Sequence, residues 1–256
     1  MLNVPLADVD AIDRPVLAVG TDYARNTLLP THAHRRAQFL YGMSGLMEVE
    51  TDDGAWVIPP FSGVWIPAGK RHQVLMRGVS TRSLYIQPGL PVRDTTYCVA
   101  LVVSPLLHQL LLASASVVAL YDEAGRDGDL MRLMVHELRA AQALPLFAPL
   151  PRDGRLAALC RAFLREPGIK QPAETWAAAI NCSPRTFSRV FRQQTGLSFG
   201  QWRQQACVMV AVMRLSAGAS VTAVALGLGY DSTSAFSSMF QRRMGSAPSA
   251  YQAKAQ

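Results

Sequence analysis

Cysteine is scarce in this chain of 256 residues, with Cys98, Cys160, Cys182 and Cys207 scattered outside any CxxC or zinc-like spacing. That excludes a disulfide framework and a zinc finger, and the four read as buried thiols of a reducing compartment. No apolar run reaches the ~18 to 20 residues of a membrane span, so no membrane partner is expected. The opening stretch, MLNVPLADVDAIDRP, lacks the basic-then-apolar pattern of a secretion leader, and a cytoplasmic location is expected. Acid is scarce in one half alone. Residues 151–256 hold 13 Lys/Arg against 4 Asp/Glu, a net of +9, whereas residues 1–150 hold 12 against 14, a net of −2; together they give +7. Half the residues are apolar, enough for a proper core, which argues against disorder.

The basic half carries two similar patterns. The first, TWAAAI-NCS-PRTFSRVFRQQTG, runs from Thr175 to Gly196, and the second, VTAVALGLG-YDS-TSAFSSMFQRRMG, from Val221 to Gly245. Each reads as a short apolar helix, a sharp turn, and a second helix opened by a hydroxyl cap. Trp176, Ala177 and Ile180 share one face of the first short helix. Asn181 falls where the turn needs a positive φ, Ser183 is placed as the N-cap, and Pro184 fits the first helical position. Phe187, Val190 and Phe191 should pack inward. Arg185, Thr186, Ser188, Arg189 and Arg192 then face outward, a set able to meet base edges and phosphates. In the second pattern Val224, Ala225 and Leu228 face inward, Gly229 makes the turn and Ser232 caps. Phe236, Met239 and Phe240 also point inward. Thr233, Ser234, Ser237 and Ser238 face outward, with Arg242 and Arg243 at the helix end. A helix of roughly 28 Å, from about Phe199 to Ala217, would link the two readers, close to the ~34 Å repeat of B-DNA.

From about Asp153 to Tyr251 this pattern resembles the DNA-binding domain of the AraC/XylS family of bacterial transcription regulators. The runs SPRTFSRVFRQQTGLSF, VALGLGYDSTSAFSSMF and RRMGSAPSAY carry the resemblance. It implies two helix-turn-helix units that read double-stranded DNA, with RNA polymerase as a partner. The family usually has a basic residue early in the linking helix and another in the second reader. This chain has Cys207 and Ser238 there, so the second reader is expected to orient more than to specify.

Between Val16 and Ile86 short alternating runs are broken by Gly and Pro: QFLYGMSG, LMEVETDDG, AWVIPP, SGVWIPAG, HQVLMRG and TRSLYI. These predict a compact antiparallel barrel or jelly roll, with a hairpin turn at Asp53-Gly54. His32 and His34 point to one face if the segment is a strand. With Gln38 and with His72 of the Pro67-x-Gly69-x-x-His72 run they could chelate a divalent metal. The spacing is similar to the two motifs of the cupin barrel, in which the Gln38 position is commonly a Glu. Barrel geometry without a metal, a sensing metal site, and a catalytic cupin all remain open on these residues. Phe39, Tyr41 and Trp65, with Met47, Met76 and Tyr85, could line an effector pocket or fill the barrel core.

After the barrel, Leu106, Leu107, Leu110 and Leu111 form one apolar stripe, and Leu130, Leu133, Met134 and Leu138 another. Two helices here either pair two copies of the chain or pack on their own barrel. Pro145, Pro149, Pro151 and Gly154 mark a linker. The expected fold class is α+β multidomain. A cupin-like barrel would span 1–100, a helical dimerisation or linker region 101–150, and an all-α double helix-turn-helix domain 151–256. The expected function is a non-enzymatic regulator responding to a small molecule or a metal; the alternative is a metal-dependent cupin enzyme with an incidental nucleic-acid-binding tail.

Overall fold

The computed structural model describes residues 11–252; the acid-bearing start, residues 1–10, lies outside them. The chain divides into two compact units. One runs up to Val49 and from Ile58 to Leu144; the other joins Glu50–Val57 to Pro145–Gln256.

The first unit is a nearly closed antiparallel barrel backed by two helices. Its strands are β1 (Val16–His32), β2 (Ala37–Gly42), β3 (Leu46–Thr51, which crosses the division), β5 (Ser62–Ile66), β6 (His72–Ile86) and β7 (Val99–Val102). The order is β7-β5-β2-β6-β3, with β1 also on β6. The two expected runs HQVLMRG and TRSLYI are one strand of 15 residues, β6. It survives the glycine between them because β1, 17 residues long, pairs with it from His32↔His72 to Val16↔Ile86. One extra residue is absorbed at Asn26, whose φ of 62° marks a bulge. The resulting ribbon curls until its ends meet. The His34 ring lies 5.1 Å from His72 and 5.4 Å from Tyr85, at opposite ends of β6.

Helices α1 (Pro105–Ala113) and α2 (Arg126–Ala140) cover one face of this sheet. Ser104 caps α1, accepting from Leu107 N and donating to Glu137 of α2 at 2.6 Å. The apolar stripes are split. Leu107, Leu111, Leu130, Met134 and Leu138 join the core, whereas Leu106 and Leu133 are exposed. Phe39, Tyr41 and Trp65, read as possible pocket lining, lie in this same core. Large aromatics at the sheet–helix junction bury most area by filling it.

The second unit holds β4 (Gly54–Ile58), β8 (Phe147–Pro149) and helices α3 (Gly154–Arg165), α4 (Ala173–Ala179), α5 (Pro184–Thr195), α6 (Phe199–Ser216), α7 (Val221–Gly227), α8 (Thr233–Met244) and α9 (Ser249–Gln252). The turn into β4 is Asp52–Asp53, not Asp53-Gly54. Gly54 is a buried strand residue, and a Cβ there would sit 2.3 Å from the Phe147 ring. That ring stacks on Trp56 at 4.5 Å. Helix α6 is the axis of the unit. Its segment Ala206–Val212 is buried without interruption, so this stretch is apolar all round rather than on one stripe. Trp202, fully buried, donates its indole N–H to Pro149 O at 2.8 Å.

Candidate nucleic-acid interface and histidine cluster

Helices α4 and α7 end in the same way. In α4 the N–H of Asn181 bonds Ala178 O and that of Cys182 bonds Ala177 O, both at 3.0 Å. In α7 the N–H of Gly229 bonds Leu226 O at 2.9 Å and that of Tyr230 bonds Ala225 O at 3.0 Å. This paired pattern is the Schellman motif, whose pivotal residue must be left-handed. Asn181 has φ 56° and Gly229 has φ 79°. The turns then hand over to capped helices: Ser183 accepts from Thr186 N and Ser232 from Ala235 N. Identical backbone solutions at two places make the internal repeat physical.

Inside, Phe187 and Phe191 of α5 join Phe163, Trp176, Phe199 and Trp202 in an aromatic cluster with ring centroids 4.7 to 6.3 Å apart. This locks the outward face. Arg185, Thr186, Ser188, Arg189 and Arg192 are all exposed together on α5. The three arginines have no hydrogen-bond or ion-pair partner among the described residues, so their charge is held ready for solvent or a ligand. Thr186 is shared, since Ser183 Oγ donates to its hydroxyl at 3.0 Å.

On α8, Ser234, Ser238 and Arg242 are exposed, and Thr233, Ser237 and Arg243 half-buried. Arg243 donates to Gln204 of α6 at 3.1 Å, which draws it back toward its own unit. Cys207, where the family usually has a basic residue, is fully buried, and burial pushes its thiol up to about 12. The reading of the sequence missed Arg203. With Arg189, Arg192, Ser198 and Gly200 it lines an open groove of about 650 Å³ at the start of α6. Its guanidinium lies 5.5 Å over the Phe199 ring and donates to Gln171 O. The Ser198-x-x-Gln201 capping box, present here, is the sequence signal that fixes this helix start.

The histidines named from the sequence also come together. The candidate ligand atoms of His32, His34 and His72 lie within 4.8 Å of one another. Each Nδ1 faces a backbone carbonyl: Pro30 O at 2.7 Å, Arg36 O at 2.6 Å and Lys70 O at 2.8 Å. Carbonyls only accept, so each Nδ1 carries a proton, and Nε2 is the ring nitrogen left to act as a ligand atom. Gln38 lies 3.0 Å from His34 Nε2, and its other end meets Ser83 Oγ and Tyr85 OH at 3.1 and 3.0 Å. The Gln38 amide NH₂ donates to both hydroxyls, and its Oε1 faces the His34 ring. His72 Nε2 is buried without a partner. Burial, opposed by the Lys70 carbonyl and reinforced by His32 and His34, pushes His72 down to about 4. The turn carrying His72 is tied to His34 by Gly69 N–H donating to His34 O at 2.9 Å.

A helix-turn-helix domain model matches residues 176–254. Over nearly its whole length the chain is similar to the transcriptional regulator NimR of Escherichia coli K12. The two are 30% identical over 226 residues, which is 88% of this chain and 82% of NimR. The chain belongs to the AraC/XylS family. Another relative, the regulator RipA of Corynebacterium glutamicum, is 32% identical over 103 residues, 40% of this chain and 31% of RipA. Among solved structures, the DNA-binding domain of AdpA in complex with a target DNA is 36% identical, covering 39% of this chain and 90% of that one, with a TM-score of 0.36. ToxT of Vibrio cholerae O395 is 11% identical, covering 94% of this chain and 98% of that one, with a TM-score of 0.40. Like its relatives, this AraC/XylS member is a DNA-binding transcription regulator. Among the described residues no helix is long and apolar enough to cross a membrane.

Proposed function

We propose that α5 carries the sequence reading and that the barrel unit sets its output in response to a bound effector. The observation that supports this is the unpaired arginine face of α5, Arg185, Arg189 and Arg192, on a rigid aromatic base. Arg185 and Arg189 meet base edges, while Arg192 and Arg203 hold phosphate across the groove at the start of α6. Helix α8 adds Ser234, Ser238 and Arg242, hydroxyl-rich contacts that orient more than they specify. RNA polymerase is the onward partner. The exposed Leu106 and Leu133 give a second copy of the chain an apolar face to cover. The role is regulatory in a cytoplasmic protein, with no catalytic residue assigned.

The test is a binding titration on a cognate and a scrambled duplex across a salt series. Arg185→Ala or Arg189→Ala should cost about 1–3 kcal/mol on the cognate duplex and relax choice at one base. Arg203→Ala should weaken both duplexes alike and flatten the salt slope by about 1. Equal losses on both duplexes for Arg185→Ala and Arg189→Ala would remove α5 as the specific reader.

A metal effector is the second reading, supported by the orphaned lone pair of His72. The donor set fits a divalent transition metal. His32, His34 and His72 would hold it through Nε2, their Nδ1–H groups already anchored to carbonyls as ligand imidazoles usually are. Gln38 would offer a neutral amide oxygen. A metal there would supply a cross-link between the two ends of the β1–β6 ribbon.

A further inference from the structure

Arg82 stands in the middle of β6, on the same face as Leu84 and Ile86, which belong to the core beneath α1 and α2. It is 7% exposed. Its one hydrogen bond runs from Nη1 to the carbonyl of its own neighbour, Thr81, at 2.7 Å. Its Nε is buried with no partner, and among the described residues no carboxylate pairs with it. A guanidinium cannot shed its proton as a buried lysine can, so the charge stays. Burying it uncompensated is costly, and a planar carboxylate is its geometric complement.

The space beside it has the shape for one. Arg82 lines a cavity of about 70 Å³ whose other walls include Ala18, Gly20, Val117, Ala119, Tyr121 and Met131. The walls are mostly apolar. A space of this size admits only a small occupant. An inorganic oxyanion would leave most of its oxygens facing hydrocarbon, whereas a short acid turns only one end to the cation.

We propose that this cavity binds a small monocarboxylate, its carboxylate on Arg82 and its short apolar tail against Val117, Tyr121 and Met131. The segment Ser114–Tyr121, which supplies one wall of the cavity, also joins α1 to α2, so occupancy would order the link between these helices. The proposal rests on the sensor reading above for its effect on DNA and names the class of effector.

Calorimetric titration of the full-length protein with acetate, propionate and butyrate tests it, with butyramide and inorganic phosphate as controls. Saturable binding of propionate or butyrate is expected, at least tenfold tighter than either control. Arg82→Met should abolish it, and so should Ala119→Phe, which keeps the cation and fills the space from an exposed loop position. Equal binding of butyramide or phosphate, undiminished binding to either variant, or no binding of any acid to the parent protein would overturn the site. An operator titration with and without butyrate separates the two readings. A changed affinity supports both. Intact binding with unchanged operator affinity supports the site and overturns its role as sensor.

Discussion

Gly229 offers the cleanest measurement of what the helix-turn-helix turn costs. A Cβ added there would meet only Ile169 Cγ2 and N, both at 3.9 Å, which is ordinary van der Waals contact. No clash complicates Gly229→Ala, so its cost comes from φ 79°. An alanine in this left-handed region costs about 1–2 kcal/mol. Asparagine tolerates it better, and the homologous position already holds one at Asn181, with φ 56°. Gly229→Asn should therefore cost less than half as much as Gly229→Ala. Asn181→Gly should fall within about 0.5 kcal/mol of the parent, and Asn181→Ala should again lose about 1 kcal/mol. Urea unfolding followed by tryptophan fluorescence reads this directly, since Trp176 and Trp202 lie in the aromatic cluster of the same unit. Affinity for the operator checks that the turn, and not only the fold, is held. A variant that escapes its strain by re-aiming α8 would lose more affinity than stability. If Gly229→Asn is as damaging as Gly229→Ala, or if Gly229→Ala costs nothing, the backbone argument is wrong and the side-chain contacts set the turn.

Other outcomes follow from the same structure. After chelation and dialysis, the protein should take up one zinc or nickel ion per chain. At a free-metal concentration near 100 times Kd this should add about 2.7 kcal/mol to stability, and His72→Gln should remove both effects; unchanged uptake by that variant would refute the three-histidine assignment. Thiol titration of the native protein at pH 8 should find one fast group, the half-exposed Cys182. Cys98, Cys160 and Cys207 are buried, and burial holds the thiols of Cys160 and Cys207 far above their usual range; a second fast thiol would contradict the burial of these three. Trp202→Phe should cost about 1–3 kcal/mol, because it removes the indole donor from the part-buried Pro149 carbonyl.

The legible parts of this chain were those specified locally. Caps, proline at the first helical turn and the Asn181 and Gly229 pivots all act within a few residues, so both helix-turn-helix units could be read with their outward faces. The three histidines were legible because their motif spacing brought distant residues to one place. What was not legible depended on partners far along the chain. Gly78 reads as a break until β1 is known to pair across it. Gly54 reads as a turn glycine until Phe147, 93 positions later (147 − 54), is seen lying where its Cβ would be. Phe39, Tyr41 and Trp65 could not be assigned to wall or core without α1 and α2. Nothing local in TRSLYI marks Arg82, whose isolation is a property of the packed sheet.

The uninterrupted burial of Ala206–Val212 in α6 has a consequence for the genome. An axle gripped on every side cannot bend or slip to suit its load, so the two readers it joins keep a fixed separation. The DNA must then conform to the protein's gauge. Individual bases under α8 can drift over evolutionary time at small cost, but inserting a single base pair between the two contacted grooves turns one of them away by about a tenth of a helical revolution. Operators for this regulator should therefore be recognisable by constant spacing before they are recognisable by sequence.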